Sequence, residues 1–526
     1  MKNFKRILSL LLTAILLLSV MAPAASAAEK DVPIIYLEGY GGNLYKDDKN
    51  PTDENQIYPT GADVGGIISE ALMPCLEELA IGYITKDYSK YSDELYNALA
   101  PVYEDVLLDK NGEASDGSGD GDDMLLKPFV IKNYSGVYKA YRFKYDWRLS
   151  PMAHADELML FIERVKTATK SDKVALVGRC LGGNIISAYL TKYENHAASN
   201  IESVVLISTS TIGIKFLSGI FSGNIVINED GLDRFADYWL KNKGILEDAE
   251  MANLISAFVS FMNEAKLLGI GTDTLQSIVD DVKDDCVSKL ALACYANFPS
   301  YWAMVTPEKY IEARDYIFKG IEDEYAGLIA KTDDYYYNCQ LKIEETMKNL
   351  KAKGVNFCIL SKYNLPSFPL YEESNESGDL FTGVYETSLG ATAADINKVL
   401  PDSYISSLED TKYLSPDHKV DASTCLFPDT TWFAKNCQHA EFTTYYDVLS
   451  LKFIRSKGAM TVFTDEAFPQ YLMHIDDVNY SVVEGLDEPT PQPGSNENRF
   501  LAFIRFFTAL FNFLGRVFRG EVSLGG

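Results

Sequence analysis

The sequence predicts an α/β fold in which a mostly parallel central sheet is flanked by helices on both faces. Between residues 32 and 208, short apolar runs bounded by turn residues alternate with longer segments of helical periodicity. Strands that are separated in this way by helices usually pair in parallel, with the helices covering the sheet. A long, mostly helical stretch at 212–350 then precedes two late strands, which predicts a large helical cap insertion.

Each predicted element has a local signal. Residues 32–37 are apolar and run into the turn Gly39-Tyr40-Gly41-Gly42, as expected of a buried strand that ends in a tight loop. The helix predicted at 151–169 has proline in its first turn. The other predicted elements are, in chain order, helices 65–81 and 92–108, an acidic loop 109–123, strand 138–145, strand 173–177, helix 184–193, strand 203–208 and late strands 354–360 and 431–435.

The two ends of the chain carry segments that are not expected to belong to the fold. A basic start, an apolar core at 7–20 and the cleavage site Ala25-Ser26-Ala27 are typical of a secretory signal peptide. The mature protein is therefore expected to be secreted or held at the extracellular cell surface. The predicted segments are a signal peptide 1–27, the first part of the core 28–211, a helical cap 212–350, the second part of the core 351–485, a proline-rich linker 486–498 and an amphipathic, basic and apolar tail 499–526.

Composition and charge exclude several classes of protein. The formal net charge is −27, and a chain this acidic lacks the basic face that nucleic-acid binding requires. The eight cysteines include no CxxC pair, so their spacing predicts no metal site, and no cofactor is expected. At least one thiol other than Cys180 is expected to be free, since the remaining seven cannot all pair within one chain. The cysteines are Cys75, Cys180, Cys286, Cys294, Cys339, Cys358, Cys425 and Cys437.

The most informative motif is Gly178-Arg179-Cys180-Leu181-Gly182, which lies between a predicted strand and a predicted helix. This arrangement is typical of the nucleophile elbow of α/β-hydrolases, where glycines two residues away on each side allow a sharp turn. The turn places the nucleophile at a helix N-terminus, where the dipole and free N–H groups favour a thiolate. Cys180 is therefore predicted to be the nucleophile, although a buried structural cysteine is the alternative.

Acyl transfer also needs hydrogen-bond donors for the developing oxyanion. In this fold they are normally the backbone N–H after the nucleophile and one from the loop after an early strand. Leu181 supplies the first candidate, and Tyr40, in the glycine-rich turn after the first strand, supplies the second.

The acid and the histidine are expected to follow the nucleophile in that order. His439 is the best placed of the five histidines, because it follows the predicted strand 431–435 in a short loop. It is predicted to be the general base and acid, with His418 as a weaker competitor. Asp417, in a loop upstream of that strand, is the predicted acid, and Asp421 is the alternative.

Together these residues resemble the lecithin:cholesterol acyltransferase family of lipases and acyltransferases, with cysteine in place of the nucleophilic serine. The segments that carry the resemblance are 33–37 with its glycine turn, Tyr145-Asp146-Trp147-Arg148, the elbow, Phe298-Pro299-Ser300-Tyr301-Trp302, and the loops of Asp417 and His439. Arg179 departs from the family, which usually has histidine there. The elbow is also similar to those of polyhydroxyalkanoate synthases and dienelactone hydrolases, which use cysteine on this fold.

The resemblance implies a hydrolase or acyltransferase that acts on lipid-like or other ester substrates, and the signal peptide predicts that it is secreted. A Cys180, His439 and Asp417 triad would work through a thioester acyl-enzyme, which reacts readily with amines and thiols. A different hypothesis is a surface binding protein of the same fold, in which the change from serine to cysteine has abolished hydrolysis. The presence of a complete set of acid, histidine and glycines favours an enzyme.

Two further segments lie outside this site. The acidic loop 109–123 offers oxygen ligands for calcium, but it lacks the terminal glutamate and the flanking helices of an EF-hand, so a solvated loop is the preferred interpretation. The tail 499–526 follows a proline-rich linker and combines arginines with Phe, Leu and Ile. That composition predicts association with a membrane or an anionic envelope, and a helix docked on the protein's own core is the alternative.

Overall fold

The computed structural model describes most of the chain between residues 32 and 486. The described residues are 32–59, 74–75, 77–79, 81–121, 126, 128–133, 136–228, 231, 234, 272–441, 444–476 and 479–486. The predicted signal peptide and tail, the predicted linker after residue 486 and part of the predicted cap lie outside the described residues.

Fifteen strands occur in the described residues, and nine of them form one sheet. The strands are β1 (Ile34–Leu37), β2 (Leu44–Tyr45), β3 (Gln56–Tyr58), β4 (Pro128–Asn133), β5 (Gly136–Arg142), β6 (Val174–Arg179), β7 (Ile201–Ile207), β8 (Asn356–Tyr363), β9 (Leu365–Pro366), β10 (Ser377–Gly378), β11 (Thr392–Ala393), β12 (Val420–Asp421), β13 (Thr431–Lys435), β14 (Tyr471–His474) and β15 (Tyr480–Val482).

The central sheet has the order β15-β14-β13-β8-β7-β6-β1-β5-β4. All neighbours in it are parallel except the two outermost pairs, β4 with β5 and β14 with β15. The predicted α/β fold with a mostly parallel sheet is therefore confirmed. The predicted strands 173–177, 203–208, 354–360 and 431–435 correspond to β6, β7, β8 and β13.

The α-helices follow the predicted alternation in the first half of the chain. They are α1 (Ser89–Tyr103), α2 (Pro151–Thr169), α3 (Leu181–Lys192), α4 (Glu194–Asn200), α5 (Lys215–Phe221), α6 (Thr272–Cys294), α7 (Pro299–Trp302), α8 (Tyr310–Ile317), α9 (Ala326–Tyr335), α10 (Ile343–Ala352), α11 (Val384–Ser388), α12 (Asp402–Ile405) and α13 (Thr444–Ser456). Short 3₁₀-helices lie at Asp53–Asn55, Glu104–Val106, Ala422–Thr424 and Pro428–Thr430, and a π-helix lies at Tyr336–Gln340.

Helix α2 shows why its predicted bounds agree with the structure. The Ser150 hydroxyl accepts a hydrogen bond from the Met152 N–H, and Pro151 occupies the first helical position. Both features are favourable helix starts, because a capping oxygen satisfies a free N–H and proline has none to satisfy. Lys170 ends the helix in a left-handed conformation.

The central strands are apolar on both faces because each face has its own hydrophobic core. In β1, Ile35 and Leu37 pack on the side of α2 and α3, whereas Ile34 and Tyr36 pack on the side of α13. Such continuous apolar strands are expected where helices cover both faces of a parallel sheet. This kind of sheet binds ligands at the carboxyl ends of its strands. The functional site is therefore expected there.

Helices α5 to α10 lie between β7 and β8 along the chain, in the region predicted as the cap. They have a separate core, in which the Phe221 ring packs against the Trp302 ring at 4.8 Å and Trp302 stacks on Phe318 at 5.2 Å. The exact limits of the cap and of the other predicted segments remain predictions. Within the described residues, no helix combines the length and the apolar character that a membrane crossing needs.

Candidate active site

Cys180 lies in a tight turn between β6 and α3. Its φ of 46° and ψ of −122° are rare for a residue with a side chain, and strain of this kind is typical of functional positions. Two glycines make room for the turn. A Cβ atom at Gly178 would lie 2.7 Å from Ile186 Cδ1, and one at Gly182 would lie 2.4 Å from the Leu37 carbonyl oxygen. The spacing of glycines around Cys180 therefore has a steric reason.

His439, in the loop after β13, and Asp379, directly after β10, form a buried pair. His439 Nδ1 lies 2.8 Å from Asp379 Oδ2, and the His439 N–H donates to the Asp379 carbonyl at 2.8 Å. Asp379 Oδ1 accepts the N–H groups of Phe381 and Thr382. Burial alone would raise the pKa of Asp379, but the charges of His439 and Lys362 and these hydrogen bonds outweigh it and hold the pKa below its ordinary value. Asp379 is thus a fixed carboxylate that orients the imidazole.

The opposite side of the His439 ring faces the nucleophile position. Within the described residues, His439 Nε2 is buried and has no hydrogen-bond partner, and the charge of Cys180 acts on the ring. Burial disfavours the charged ring, but Asp379 and Cys180 outweigh this effect and raise the pKa of His439 to about 10. Cys180, His439 and Asp379 therefore form one interacting set.

Lys362 holds the loop that carries His439. It is the penultimate residue of β8, it is fully buried, and its Nζ donates to the carbonyl oxygens of Gln438, His439 and Glu441 at 2.6, 2.7 and 2.8 Å. Burial lowers the pKa of Lys362. An ammonium that donates to three carbonyl oxygens of one short loop restricts the movement of that loop, so Lys362 is a positioning residue for His439. No pattern in the sequence predicts this role.

The prediction that Asp417 or Asp421 pairs with His439 is wrong. Asp417 is buried beside Lys435, whose Nζ lies 2.8 Å from Oδ2, and it also accepts the Tyr363 hydroxyl at 3.2 Å. Asp421 caps a 3₁₀-helix by accepting the Ser423 N–H, and it also accepts the Tyr404 hydroxyl at 2.8 Å. Both carboxylates therefore bind groups other than the imidazole of His439.

The physical reason for this error is the path of the chain after β8. Strand β9 begins two residues after β8 ends, and it pairs antiparallel with β10. This pairing returns the chain to the end of β8, and Asp379 is the first residue after β10. In a parallel sheet the residues that follow the carboxyl ends of strands share one edge. Asp379 lies close to the end of β8, whereas Asp417 and Asp421 precede β13 in the chain. Closeness to the end of β8 is the signal that favours Asp379.

The loop that carries Tyr40 is held against the elbow by two aromatic side chains. The Tyr145 hydroxyl donates to the carbonyls of Glu38 and Gly39 at 2.6 and 3.2 Å, and Trp147 Nε1 donates to the Gly42 carbonyl at 3.1 Å. Leu181 is the first residue of α3, so its N–H belongs to the first turn, which lacks intrahelical acceptors. Tyr40 and Leu181 thus lie on the two segments that meet at Cys180, and their role as oxyanion donors remains a prediction.

A buried ion pair supports these aromatic residues. Arg148 Nη2 lies 2.6 Å from Asp146 Oδ2, and the guanidinium also donates to Ser118 Oγ and the Val106 carbonyl. His154 Nε2 lies 2.8 Å from the Asp146 carbonyl oxygen. The Tyr-Asp-Trp-Arg segment is therefore a structural unit that fixes the Tyr40 loop.

An aromatic wall, formed by Tyr40, Trp147, Phe298 and Tyr301, belongs to the same hydrophobic core as Cys180. The Trp147 ring lies 4.3 Å from the Tyr40 ring and 5.6 Å from the Phe298 ring, and Tyr301 lies 5.9 Å from Tyr40. Burial, followed by the charge of Cys180, raises the pKa of Tyr145 well above its ordinary value. Aromatic surfaces of this kind suit an apolar chain.

Arg179 connects the elbow to two acidic side chains. Its guanidinium lies 3.4 Å from Glu38 Oε2 and 3.1 Å from Asp447 Oδ1, and it lies over the Tyr36 ring at 5.8 Å. Arg179 therefore links the end of β6 to the Tyr40 loop and to α13. This structural role explains why an arginine precedes the nucleophile position.

Comparison with known families adds an independent observation. Residues 138–238 match the lecithin:cholesterol acyltransferase family model. The matched segment runs from β5 past α5 and contains the elbow. No curated protein matches the chain.

The lecithin:cholesterol acyltransferase match supports a lipase or acyltransferase of the α/β-hydrolase fold, and it agrees with the observed sheet. It also supports acyl hydrolysis or transfer on lipid-like esters. His439 and Asp379 lie beyond the matched segment, and their assignment depends on the contacts described above.

The acidic loop 109–121 uses its carboxylates locally. Asp109 Oδ1 accepts the N–H groups of Asn111 and Glu113, and Asp116 Oδ1 accepts the N–H and the hydroxyl of Ser118. Residues 122–123 lie outside the described residues. These contacts favour the interpretation of a turn-rich loop.

Proposed function

We propose that the protein is a secreted, cysteine-dependent acyl hydrolase or acyltransferase that acts on lipid-like esters. Cys180 is the nucleophile, His439 the general base and acid, and Asp379 the orienting carboxylate. The observation that carries the proposal is the buried hydrogen bond between His439 and Asp379, at a histidine whose ring also interacts electrostatically with the thiol of a strained elbow. The backbone N–H groups of Leu181 and Tyr40 serve as oxyanion donors.

In the first half-reaction, Cys180 Sγ attacks the ester carbonyl carbon while His439 holds the thiol proton. The carbonyl π electrons move to oxygen, and the backbone donors stabilise the resulting oxyanion. The tetrahedral intermediate collapses when the bond to the leaving oxygen breaks. His439 Nε2 gives its proton to that oxygen, so an alcohol departs and a thioester remains on Cys180.

In the second half-reaction, an acceptor loses its proton to His439 and attacks the thioester carbon. The second tetrahedral intermediate expels the Cys180 thiolate, which regenerates the enzyme with a protonated His439. Water as the acceptor gives hydrolysis, and an alcohol, amine or thiol gives transfer. A thioester is more reactive toward amines and thiols than an ester of serine, so the cysteine favours transfer. The aromatic wall of Tyr40, Trp147 and Phe298 receives the acyl chain.

The proposal is tested by the release of p-nitrophenol from short- and medium-chain p-nitrophenyl esters. We expect the wild type to release p-nitrophenol and the Cys180→Ala variant to lose the activity. Cys425→Ala is the matched control, because Cys425 is another buried free thiol. Release that is equal in the wild type and in Cys180→Ala, or absent at every chain length, would overturn the proposal and favour a binding protein.

The cellular location and the tail belong to the same proposal. The features of residues 1–27 support export, and the basic, apolar tail 499–526 supports association with a membrane or envelope. Deleting the chain after Pro489 should abolish co-sedimentation with anionic vesicles, and unchanged co-sedimentation would contradict this role of the tail.

A further inference from the structure

A second cluster of reactive side chains joins the loop of His439 to strand β14. Cys437 and Glu441 flank His439 in this loop, and His474 ends the neighbouring strand β14. One ligand atom from each residue lies within 4.8 Å of the ligand atoms of the other two. Cysteine, histidine and glutamate together are a donor set that zinc prefers.

His474 is a mostly buried histidine that faces Glu441 through one ring nitrogen. The side chain is about nine-tenths buried, with 9% exposed, and its Nδ1 lies 3.5 Å from Glu441 Oε2. Within the described part of the chain, the buried Nε2 has no hydrogen-bond partner. A buried imidazole normally has partners for both nitrogens, so the ring of His474 can take a further partner.

Cys437 and Glu441 offer the other two ligand atoms, which lie within 4.8 Å of each other. Cys437 is fully buried, and its Sγ lies 3.9 and 3.8 Å from the carbonyls of Gln438 and Glu441, distances at which a thiol bonds only weakly. Glu441 Oε2 is fixed by the Gln438 N–H at 2.8 Å. The Glu441 side chain is 28% exposed, which leaves a path from solvent.

We propose that Cys437, Glu441 and His474 bind a zinc ion that ties the loop of His439 to strand β14. The thiolate and the carboxylate balance the charge of the ion, and water completes a tetrahedral site. Binding displaces the thiol proton of Cys437 into the solvent. Lys362 donates to three carbonyl oxygens of the same loop. The zinc ion and the Lys362 ammonium therefore restrain the loop together.

The cysteine spacing in the sequence does not reveal this site. Cys437 and Glu441 are four residues apart in a loop, and His474 is contributed by the next strand of the sheet. Only the parallel pairing of β13 with β14 brings them together.

The test uses the full chain carrying Cys180→Ala, so that the nucleophile cannot bind the metal and the result does not depend on acyl transfer. After treatment with a chelator, the protein is titrated with zinc chloride in a calorimeter. We expect one zinc ion per chain, and binding weaker by about tenfold or more after Cys437→Ser or His474→Gln. Cobalt(II) should give a thiolate charge-transfer band that Cys437→Ser abolishes.

Two controls keep the result interpretable. Cys425→Ser alters another buried thiol and should leave zinc affinity unchanged. Glu441→Gln changes the most exposed ligand and should weaken binding without unfolding the chain, as judged by circular dichroism in the absence of metal. The thermal midpoint of the parent should rise with zinc. No saturable binding by the parent, or equal affinity in the parent and all three ligand variants, would overturn the proposal.

Discussion

The two acidic loops between β8 and β13 contain the same kind of side chain but place it in different surroundings. Asp379 meets the imidazole of His439 at 2.8 Å, whereas Asp417 meets the ammonium of Lys435 at the same distance. Both carboxylates are fully buried. The difference shows that burial and a cationic partner do not by themselves identify an acid of an active site. The identity of the partner, and its contact with a nucleophile, decide the role.

The largest expected effect of this difference is on activity. Asp379→Asn should lower kcat/KM by about 10⁴-fold, because the amide no longer orients or stabilises the imidazolium. Asp417→Asn should leave kcat/KM within a few-fold of the wild type. Steady-state hydrolysis of a p-nitrophenyl ester measures both. If Asp417→Asn lowers the kcat of folded protein more than Asp379→Asn does, Asp379 is not the acid of the triad.

The second effect is on stability, and here the order of the two residues is reversed. Asp417→Asn should lower the free energy of unfolding by roughly 3–5 kcal/mol, because the buried ammonium of Lys435 loses its compensating charge. Denaturant unfolding measures the loss. Removing both charges with Asp417→Asn and Lys435→Met should recover part of it. A double variant that is less stable than the single one would show that the pair does not act as proposed.

A third carboxyl extends the comparison to pH. Glu386 is buried near Lys215 and Glu376, and burial, followed by the charge of Glu376, raises its pKa from 4.5 to about 8. The folded state therefore holds a proton that the unfolded state releases, so this group makes stability fall as pH rises from about 4.5 to about 8. Asp379 acts in the opposite direction: its pKa is lowered, so its contribution is lost in acid.

Glu386→Gln should accordingly reduce the loss of stability between pH 5 and pH 8, by about 1–3 kcal/mol. Thermal unfolding of the wild type and the variant across this range measures it. The matched change Glu373→Gln, at another glutamate near Lys215 but outside the buried pair, should have little effect. Identical pH profiles for the wild type and Glu386→Gln would contradict the raised pKa.

The smallest expected effect concerns the hydrogen bond from Tyr363 to Asp417. Tyr363→Phe removes a bond of 3.2 Å and should cost about 1 kcal/mol of unfolding free energy with no change in kcat. Chemical denaturation and the ester assay test the two halves of this prediction. A large loss of kcat would mean that the Asp417 region communicates with His439.

Local signals explain which parts of the molecule the sequence could predict. The elbow lies within about twenty residues that contain strand β6, the glycines around Cys180 and helix α3. All the signals that predict the turn therefore lie close together in the sequence. The bounds of α2 agree because its cap and first-turn proline are adjacent. His439 was identifiable because it follows a short apolar strand and histidines are scarce.

Other parts depend on contacts between distant segments. Seven aspartates lie between β8 and β13, and only the pairing of β9 with β10 shows that Asp379 reaches the site. The role of Lys362 was hidden because lysine in a buried strand has no predictive pattern. The cluster of Cys437, Glu441 and His474 requires the neighbouring positions of β13 and β14.

Acylation of Cys180 is the decisive step of the proposed mechanism. It is tested most directly by intact-protein mass spectrometry after brief exposure to a p-nitrophenyl ester, followed by peptide mapping. The wild type should gain the mass of one acyl group on Cys180, Asp379→Asn should gain it slowly, and Cys180→Ala should gain none. An acyl group on another residue, or an equal adduct on Cys180→Ala, would contradict a cysteine mechanism at this elbow.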